Sequence, residues 1–397
     1  MFQDRSSSGE PDPRTSILTA VVGDRRAEVE LLLAASRPHA DEAIQSRIAH
    51  LASTAIDWDY VAMQAVAHGT TALLYSNLRR AGVQIQTAEM KRLDHMARES
   101  ANRSLYLLGE LLKILAAFEN AKIPAIPLKG ATLAVTAYGD VSCRQFSDLD
   151  VLIQERDISR AREVLARLGF RCVHHSDWLE PYVKFGHELD FISSDGTVQV
   201  DLQWRFAKKW LSLPVDALTV WDHASSATIG GQALRQTSLE DTLLILCCHG
   251  YRHRWSRLKW IIDVAAFLHR FGERLDAIRL FERTQAHGGR RLVILGLWLA
   301  QEVAGNVLPL SIQRSFATDP KVECIGRAII ERLFDVPLRG SHGLIAAVAF
   351  HLRARERLRD KLPAFAPLLS HVTYTLRRQA RHNAQRCLAV SSRICPP

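Results

Sequence analysis

Asp148 and Asp150 stand two residues apart at the head of an apolar run, Val151, Leu152 and Ile153. In an extended strand residues i and i+2 face the same side, so the two carboxylates would project together and share one or two divalent cations. Upstream, Lys129 and Gly130 close the apolar segment Ile126 to Leu128. A short glycine-bearing turn there lets phosphate oxygens come close to backbone N–H groups. A third acid sits in a compatible setting. Val198 to Trp204 alternates apolar and polar side chains, with Asp201 in the middle of the polar face of a half-buried strand. Asp190 shares a face with Glu188 and competes for the third place; Asp201 is preferred because its neighbours Val200 and Leu202 are core-type residues. Taken singly, a D-x-D pair also suits a solvated strand end, and Lys-Gly an ordinary loop. Together, a phosphate turn followed by carboxylates that suit a hard cation point to nucleotide chemistry.

These side chains need a sheet to bring them together. From Ile123 the pattern alternates between strands and helices. It predicts strands at Ile126–Leu128, Leu149–Ile153, Phe170–His174, Glu188–Ile192 and Thr197–Trp204, and helices at Ala131–Tyr138 and Ile158–Leu168. Ser193, Asp195 and Gly196 mark a tight hairpin, so the late strands are adjacent and antiparallel. The expected fold class is α+β: a mixed β-sheet flanked by N-terminal and C-terminal helical lobes. Amphipathic helices are expected at Ala27–Ser36, Ala40–Ser53, from Trp58 with Asp57 as N-cap, at Thr70–Gly82 and over the long stretch Ala88–Ala121. The chain turns helical again after Ser238, a capping residue followed by Glu240 and Asp241. The implied organisation is a disordered lead-in (1–20), a helical lobe (21–122), the mixed-sheet domain (123–237), a second helical lobe (238–370) and a basic tail (371–397).

At 397 residues, with 47% hydrophobic and 23% charged side chains, the composition is that of an ordinary globular protein. The apolar run Leu292–Ala300 ends at Gln301 and Glu302, too short for a membrane span, so no membrane insertion is expected. The polar start is not a signal peptide. Seven cysteines without a C-x-x-C pair read as reduced thiols, and the expected location is cytoplasmic. Eleven basic residues from Arg339 to Arg393 face two acids, Glu356 and Asp360, a surplus equal to the net charge of +9 on the whole chain. Such a segment suits RNA, a phosphorylated substrate or an anionic surface, or simply a solvated helix face. Few aromatic residues interleave it.

The order L-K-G, then R-x-x-S-D-x-D before an apolar run, then an acid on a later strand resembles the nucleotidyltransferase superfamily built on the DNA polymerase beta-type palm. It looks most like the bacterial nucleotidyltransferase family proteins with L-K-G in the turn, and more distantly like the nucleotidyltransferase toxins of abortive-infection systems. The likeness extends to the D-W-D-Y helix start near Trp58, the long helix before Lys129 and the run from Leu243 to Val264. It implies transfer of an NMP from an NTP to an acceptor hydroxyl. Asp148, Asp150 and Asp201 would be the catalytic and metal-binding residues of a two-ion Mg2+ site, with Mn2+ also suitable. Lys129, Gly130, Arg144, Ser147, His249, Arg252 and Lys259 would be nucleotide-binding residues. Arg144 would either steady the turn or clamp phosphate. The acceptor (small molecule, peptide or RNA) is left open, as are an RNA-directed toxin and a degenerate, regulatory palm. Two departures stand out: Ala131 where a second Gly or Ser is usual, and Gln203 where His is expected. His249 and His253, four apart, suit a zinc pair but lack a third ligand.

Overall fold

Apolar side chains recurring every three or four residues pack residues 26–80 as helices, Arg26–Ala35, Glu42–Ala52, Trp58–His68 and Thr71–Arg80, before the 33-residue helix Ala88–Asn120. The computed structural model describes residues 25–84, 88–173, 183, 186–206, 213, 215–286, 288–305, 307–315, 319–334 and 344–361. The expected lead-in (1–20) and the expected basic tail (371–397) lie outside the described residues. Asp57 caps its helix as expected, its carboxylate accepting from the Tyr60 N–H at 3.0 Å. Buried Asn77 donates to the Ala35 and Arg37 carbonyls, at 2.9 and 2.8 Å, and ties the fourth helix to the end of the first.

The sheet has five strands: β1 Ala125–Pro127, β2 Asp148–Ile153, β3 Phe170–Cys172, β4 Glu188–Ser193 and β5 Gln199–Gln203. Their spatial order is β1-β2-β5-β4-β3. The β2–β5 pair is parallel and the other pairs are antiparallel, which makes the sheet mixed. Strand alternation sorts the side chains into two faces. Leu149, Val151, Ile153, Leu189, Phe191, Val200 and Leu202 bury one face against Leu107, Leu111, Ile114, Leu115 and Phe118 of the long helix. The opposite face carries the acids and turns toward the C-terminal helices.

Two elements among the described residues lie beyond those expected: the short helix Ala217–Asp222, capped by Asp216, and a hairpin of β6 Ser225–Ile229 and β7 Gln232–Gln236. Gly230 and Gly231 form its two-residue turn at φ +58° and +80°, the left-handed backbone that such a turn requires. A Cβ on Gly230 would lie 2.9 Å from Leu112 Cδ1, so the turn seats directly on the long helix.

After Ser238, whose hydroxyl accepts from the Asp241 N–H at 3.1 Å, helices follow at Leu239–Arg252, Leu258–Phe271, Ala277–Ala286, Arg290–Ala304, Pro320–Leu333 and Leu344–Ala354. The apolar helix Arg290–Ala304 is the buried centre of this bundle. Among the described residues no helix is long and apolar enough to cross a membrane. Side chains from the first four helices, the C-terminal bundle and Ile126, Leu128 and Leu152 of the sheet belong to one continuous core. The C-terminal helices are therefore seated firmly over the acid face.

The Leu239–Arg252 and Leu258–Phe271 helices meet at a tight turn. Arg254 and Trp255 both hold positive φ, +53° and +54°, and Trp255 is fully buried. Its ring fills a slot made by Gly250 and Gly296; a Cβ at Gly250 would fall 2.3 Å from it.

Candidate active site

Register brings the three aspartates together. Asp150 lies opposite Asp201 across β2–β5, and Asp201 lies opposite Asp190 across β5–β4. Directly opposed residues point to the same face, so Asp150, Asp201 and Asp190 form a row across three strands. Asp148 and Glu188 extend the same face, one β-step to either side. Mutual repulsion is written into their acidities. Burial, then the charge of Asp150, raises the Asp201 carboxyl from 3.8 to about 7. Asp150 is raised as well, by burial first, while Lys129 pulls it back and Asp148 adds to the rise.

Asp150 is 7% exposed, and its Oδ1 accepts from both Lys129 Nζ at 3.0 Å and Gln203 Nε2 at 2.7 Å. An ionised carboxylate only accepts, which fixes the Gln203 amide with its nitrogen toward Asp150. The position where a histidine was expected thus holds a donor to a site carboxylate. Gln199 Nε2 donates to Asp201 Oδ1 at 2.9 Å. Among the described residues no group of three His, Cys, Asp or Glu side chains is already arranged to hold a metal ion. The donor set nevertheless fits a hard divalent cation: oxygen ligands only, clustered, and each raising the acidity cost of its neighbours.

Lys129 reaches this face from a strained turn. It holds φ +40° and ψ −130°, with Gly130 at φ +34°. A side-chain-bearing residue in that region costs on the order of 1–3 kcal/mol and persists only where its surroundings impose it. Ala131 is 1% exposed and packs in the core under the sheet, with Phe146 and Leu149 in the same cluster. Its side chain is therefore a packing element facing away from the turn.

Arg144 is buried and its fork is engaged. Nε and one terminal nitrogen grip both carboxylate oxygens of Asp263, at 2.7 and 2.8 Å, and the other terminal nitrogen donates to the Gly130 carbonyl at 3.2 Å. Burial opposes its charge, but Asp263 outweighs burial and the pKa is raised. The loop-steadying role is the one this geometry supports. Tyr138 Oη donates to the same Asp263 Oδ1 at 2.7 Å.

The facing wall comes from the junction of the Leu239–Arg252 and Leu258–Phe271 helices. His249 Nδ1 lies 3.3 Å from Lys129 Nζ; burial, then the Lys129 charge, keeps the ring well below its usual pKa and neutral, so it accepts from the ammonium. His253 is lowered to about 4 by burial and by Arg252, and it stacks on Trp260 with ring centroids 4.7 Å apart. Arg252 donates to the Phe206 carbonyl at 3.2 Å and sits near His187, which contacts Glu188 at 3.1 Å. Lys259 has its pKa lowered by burial and then by Arg144, with Asp148 and Asp263 acting the other way. Its stem lies over Gly69 of the N-terminal helices. Ser147 is exposed at the lip before half-buried Asp148.

The sequence reading missed Asp263 and Tyr138. The signal was there: a lone acid inside the apolar run from Trp260 to Leu268 must find a cation or donor when buried.

A mixed sheet with D-x-D opening its second strand, a third aspartate on the neighbouring parallel strand and a lysine turn after its first strand is a nucleotidyltransferase palm. The chain belongs to the family described as uncharacterised nucleotidyltransferases, whose sequence model matches residues 54–305. No curated protein matches it. Similar solved structures include the antibiotic-resistance factor ANT(2'')-Ia in solution, at 17% identity over 45% of this chain and 89% of that one, with a TM-score of 0.32. Others are ANT(2'')-Ia in complex with adenylyl-2''-tobramycin (15% identity, 56% and 97% coverage, TM-score 0.26) and an antigenic nucleotidyltransferase-like protein from Paracoccidioides brasiliensis (17% identity, 53% and 96% coverage, TM-score 0.30).

Proposed function

We propose that this nucleotidyltransferase moves a nucleoside monophosphate from an NTP to an acceptor hydroxyl, with Asp148, Asp150 and Asp201 holding one or two Mg2+ (or Mn2+) ions. The observation that carries this reading is the row of carboxylates in register on one face, where burial and then the charge of Asp150 lift Asp201 to about 7, beside a strained lysine turn. When bound, the ions neutralise the triphosphate and lower the pKa of the acceptor hydroxyl.

The chain's own residues supply the rest. Lys129, already aimed at the carboxylate row, turns its ammonium to the β- and γ-phosphates as the acceptor hydroxyl passes its proton to Asp201, its oxygen bonds to the α-phosphorus and the bond to the departing pyrophosphate breaks. His249, neutral and accepting from Lys129, orients that ammonium. Arg252 and Lys259 flank it on the wall above the acids and meet phosphate charge. Gln203 shares Oδ1 of Asp150 with Lys129, which leaves Oδ2 for the cation. The Trp260 and His253 stack offers a flat surface for a base.

The test is to incubate the purified protein with each labelled NTP, Mg2+ and a cell extract, and to follow where label appears. The Asp148→Asn, Asp150→Asn double variant should fold and lose transfer by about 10³-fold or more, as removal of the electrostatic machinery does. Turnover retained in that variant overturns the proposal.

A further inference from the structure

We infer that Asp263, seconded by Tyr138, is a positioning residue that holds the Lys129–Gly130 turn in its strained, site-directed form from the C-terminal helical bundle. The inference deepens the nucleotidyl-transfer reading and rests on it for the kinetic part only.

The connection is a chain of buried, short contacts. Asp263, on the Leu258–Phe271 helix, is 2% exposed. Both its oxygens are gripped by Arg144, and Tyr138, just beyond the helix Gly130–Thr136, donates to one of them. A guanidinium so gripped is fixed in plane and direction. Its remaining terminal nitrogen then reaches one place, the Gly130 carbonyl. Ser104 Oγ, from the long helix, donates to the Arg144 carbonyl at 3.3 Å and fixes the other end of the residue.

Gly130 follows the residue that most needs restraint. Lys129 sits at φ +40° with a full side chain, and a backbone of that kind relaxes when nothing opposes it. The hydrogen bond from Arg144 opposes it. Because Arg144 is committed to Asp263, the direction of the Lys129 ammonium is set from a helix about 130 residues further along the chain. The same helix starts at Leu258 and carries Lys259 and Trp260, so one rigid element would place both the phosphate turn and the wall above it. That arrangement suits a site in which turn and wall must grip one triphosphate in fixed relation.

The experiment uses Asp263→Asn, Asp263→Glu and Tyr138→Phe in the full chain. The first readout needs no substrate: amide hydrogen exchange over residues 127–135, where the Leu133 N–H is bonded to the Lys129 carbonyl at 2.9 Å. Asp263→Asn should speed exchange at this turn by about 10-fold or more while helix Arg290–Ala304 stays protected. Tyr138→Phe, the milder change, should move it in the same direction by less, and serves if Asp263→Asn does not fold. The second readout is kinetic. Asp263→Asn should raise KM for Mg-NTP by about 10-fold with kcat changed far less, as for a lost binding geometry, and Asp263→Glu should recover part of the loss. Unchanged exchange at residues 127–135 in both Asp263→Asn and Tyr138→Phe overturns the inference, as does a uniform loss of protection throughout the bundle. If the wild-type protein turns over no NTP, the transfer reading fails while the exchange readout still decides the role of Asp263.

Discussion

Replacing Asp201 with Asn should make the metal-free protein more stable at neutral and alkaline pH, although it removes a carboxylate that the proposed reaction uses. Burial and the neighbouring charge of Asp150 lift the folded-state pKa of Asp201 from 3.8 to about 7. Between those values the folded chain binds a proton that the unfolded chain has released, so stability falls as pH rises across that interval. Below about pH 4 both states are protonated and the cost vanishes; above about pH 7 it is complete. At 1.36 kcal/mol per pH unit, the interval from 3.8 to about 7 is worth about 4 kcal/mol. That is a ceiling, because Asp201 keeps some contact with solvent and water screens part of the repulsion. A gain of about 2 kcal/mol is the working expectation. Asn keeps the size of the side chain and can still accept from Gln199, so the change isolates the charge. Urea unfolding in EDTA at about pH 4 and about pH 8 measures it: the variant should match wild type at the lower pH and exceed it at the higher. Saturating Mg2+ should then stabilise wild type more than the variant. Equal stability of the two proteins at about pH 8, or an unchanged pH slope in the variant, refutes the coupled-carboxylate reasoning.

Lys129→Met should destabilise the protein by about 3 kcal/mol at about pH 8, since a buried carboxylate, Asp150, loses its nearest cation. The loss should shrink toward acid pH, where Asp150, whose pKa burial raises, takes up a proton and needs no counter-charge; urea midpoints at about pH 8 and about pH 4 check both the size and the sign. Gly250→Ala drives a methyl group to within 2.3 Å of the Trp255 ring and should cost about 1–3 kcal/mol. It should appear as a lowered Tm with altered tryptophan fluorescence, and an unchanged melt would mean that the Trp255 slot is looser than its contacts indicate.

The parts of the site that were legible in the sequence are those encoded locally. D-x-D at the head of the apolar run V-L-I reads as a buried strand whose two carboxylates share a face, and V-Q-V-D-L-Q-W alternates as a half-buried strand with Asp201 on its polar face; the register that sets Asp201 opposite Asp150 comes from the pairing of the two strands. Asp57 and Ser238 announce helix starts because a cap is a contact within four residues. What stayed hidden depends on partners far apart in the chain. Asp263 looks like an isolated acid until the fold sets it against Arg144, 119 residues away. The β6–β7 hairpin is short, and its strands S-S-A-T-I and Q-A-L-R-Q carry only Ile229 and Leu234 as large apolar side chains, giving little hydrophobic alternation to read. Its Gly-Gly turn acquires a reason only when Leu112 is seen beneath it. Ala131 reads as a gap in a phosphate-binding pattern until burial shows that its methyl group belongs to the core.

The two faces of the sheet explain how a site so rich in charge is tolerated. The face against the long helix is wholly apolar, so burial there supplies stability that the acid face does not have to provide. The acid face is left with more carboxylates than cations. Asp148, Asp150, Asp190, Asp201 and Glu188 line it, against Lys129, Arg252 and Lys259. The histidines of the wall are held neutral, and Arg144 is committed to Asp263. Desolvation is what keeps those histidines neutral, and desolvation also raises Asp201; the same exclusion of water therefore removes positive charge from one side of the cleft and strains the negative charge on the other. A bare triphosphate would meet net repulsion in such a cleft, whereas one carrying divalent charge would relieve it. The strain at Lys129 fits the same balance, because it directs that ammonium at the acid row, where it steadies Asp150 and, in the proposed reaction, would be shared with phosphate oxygens.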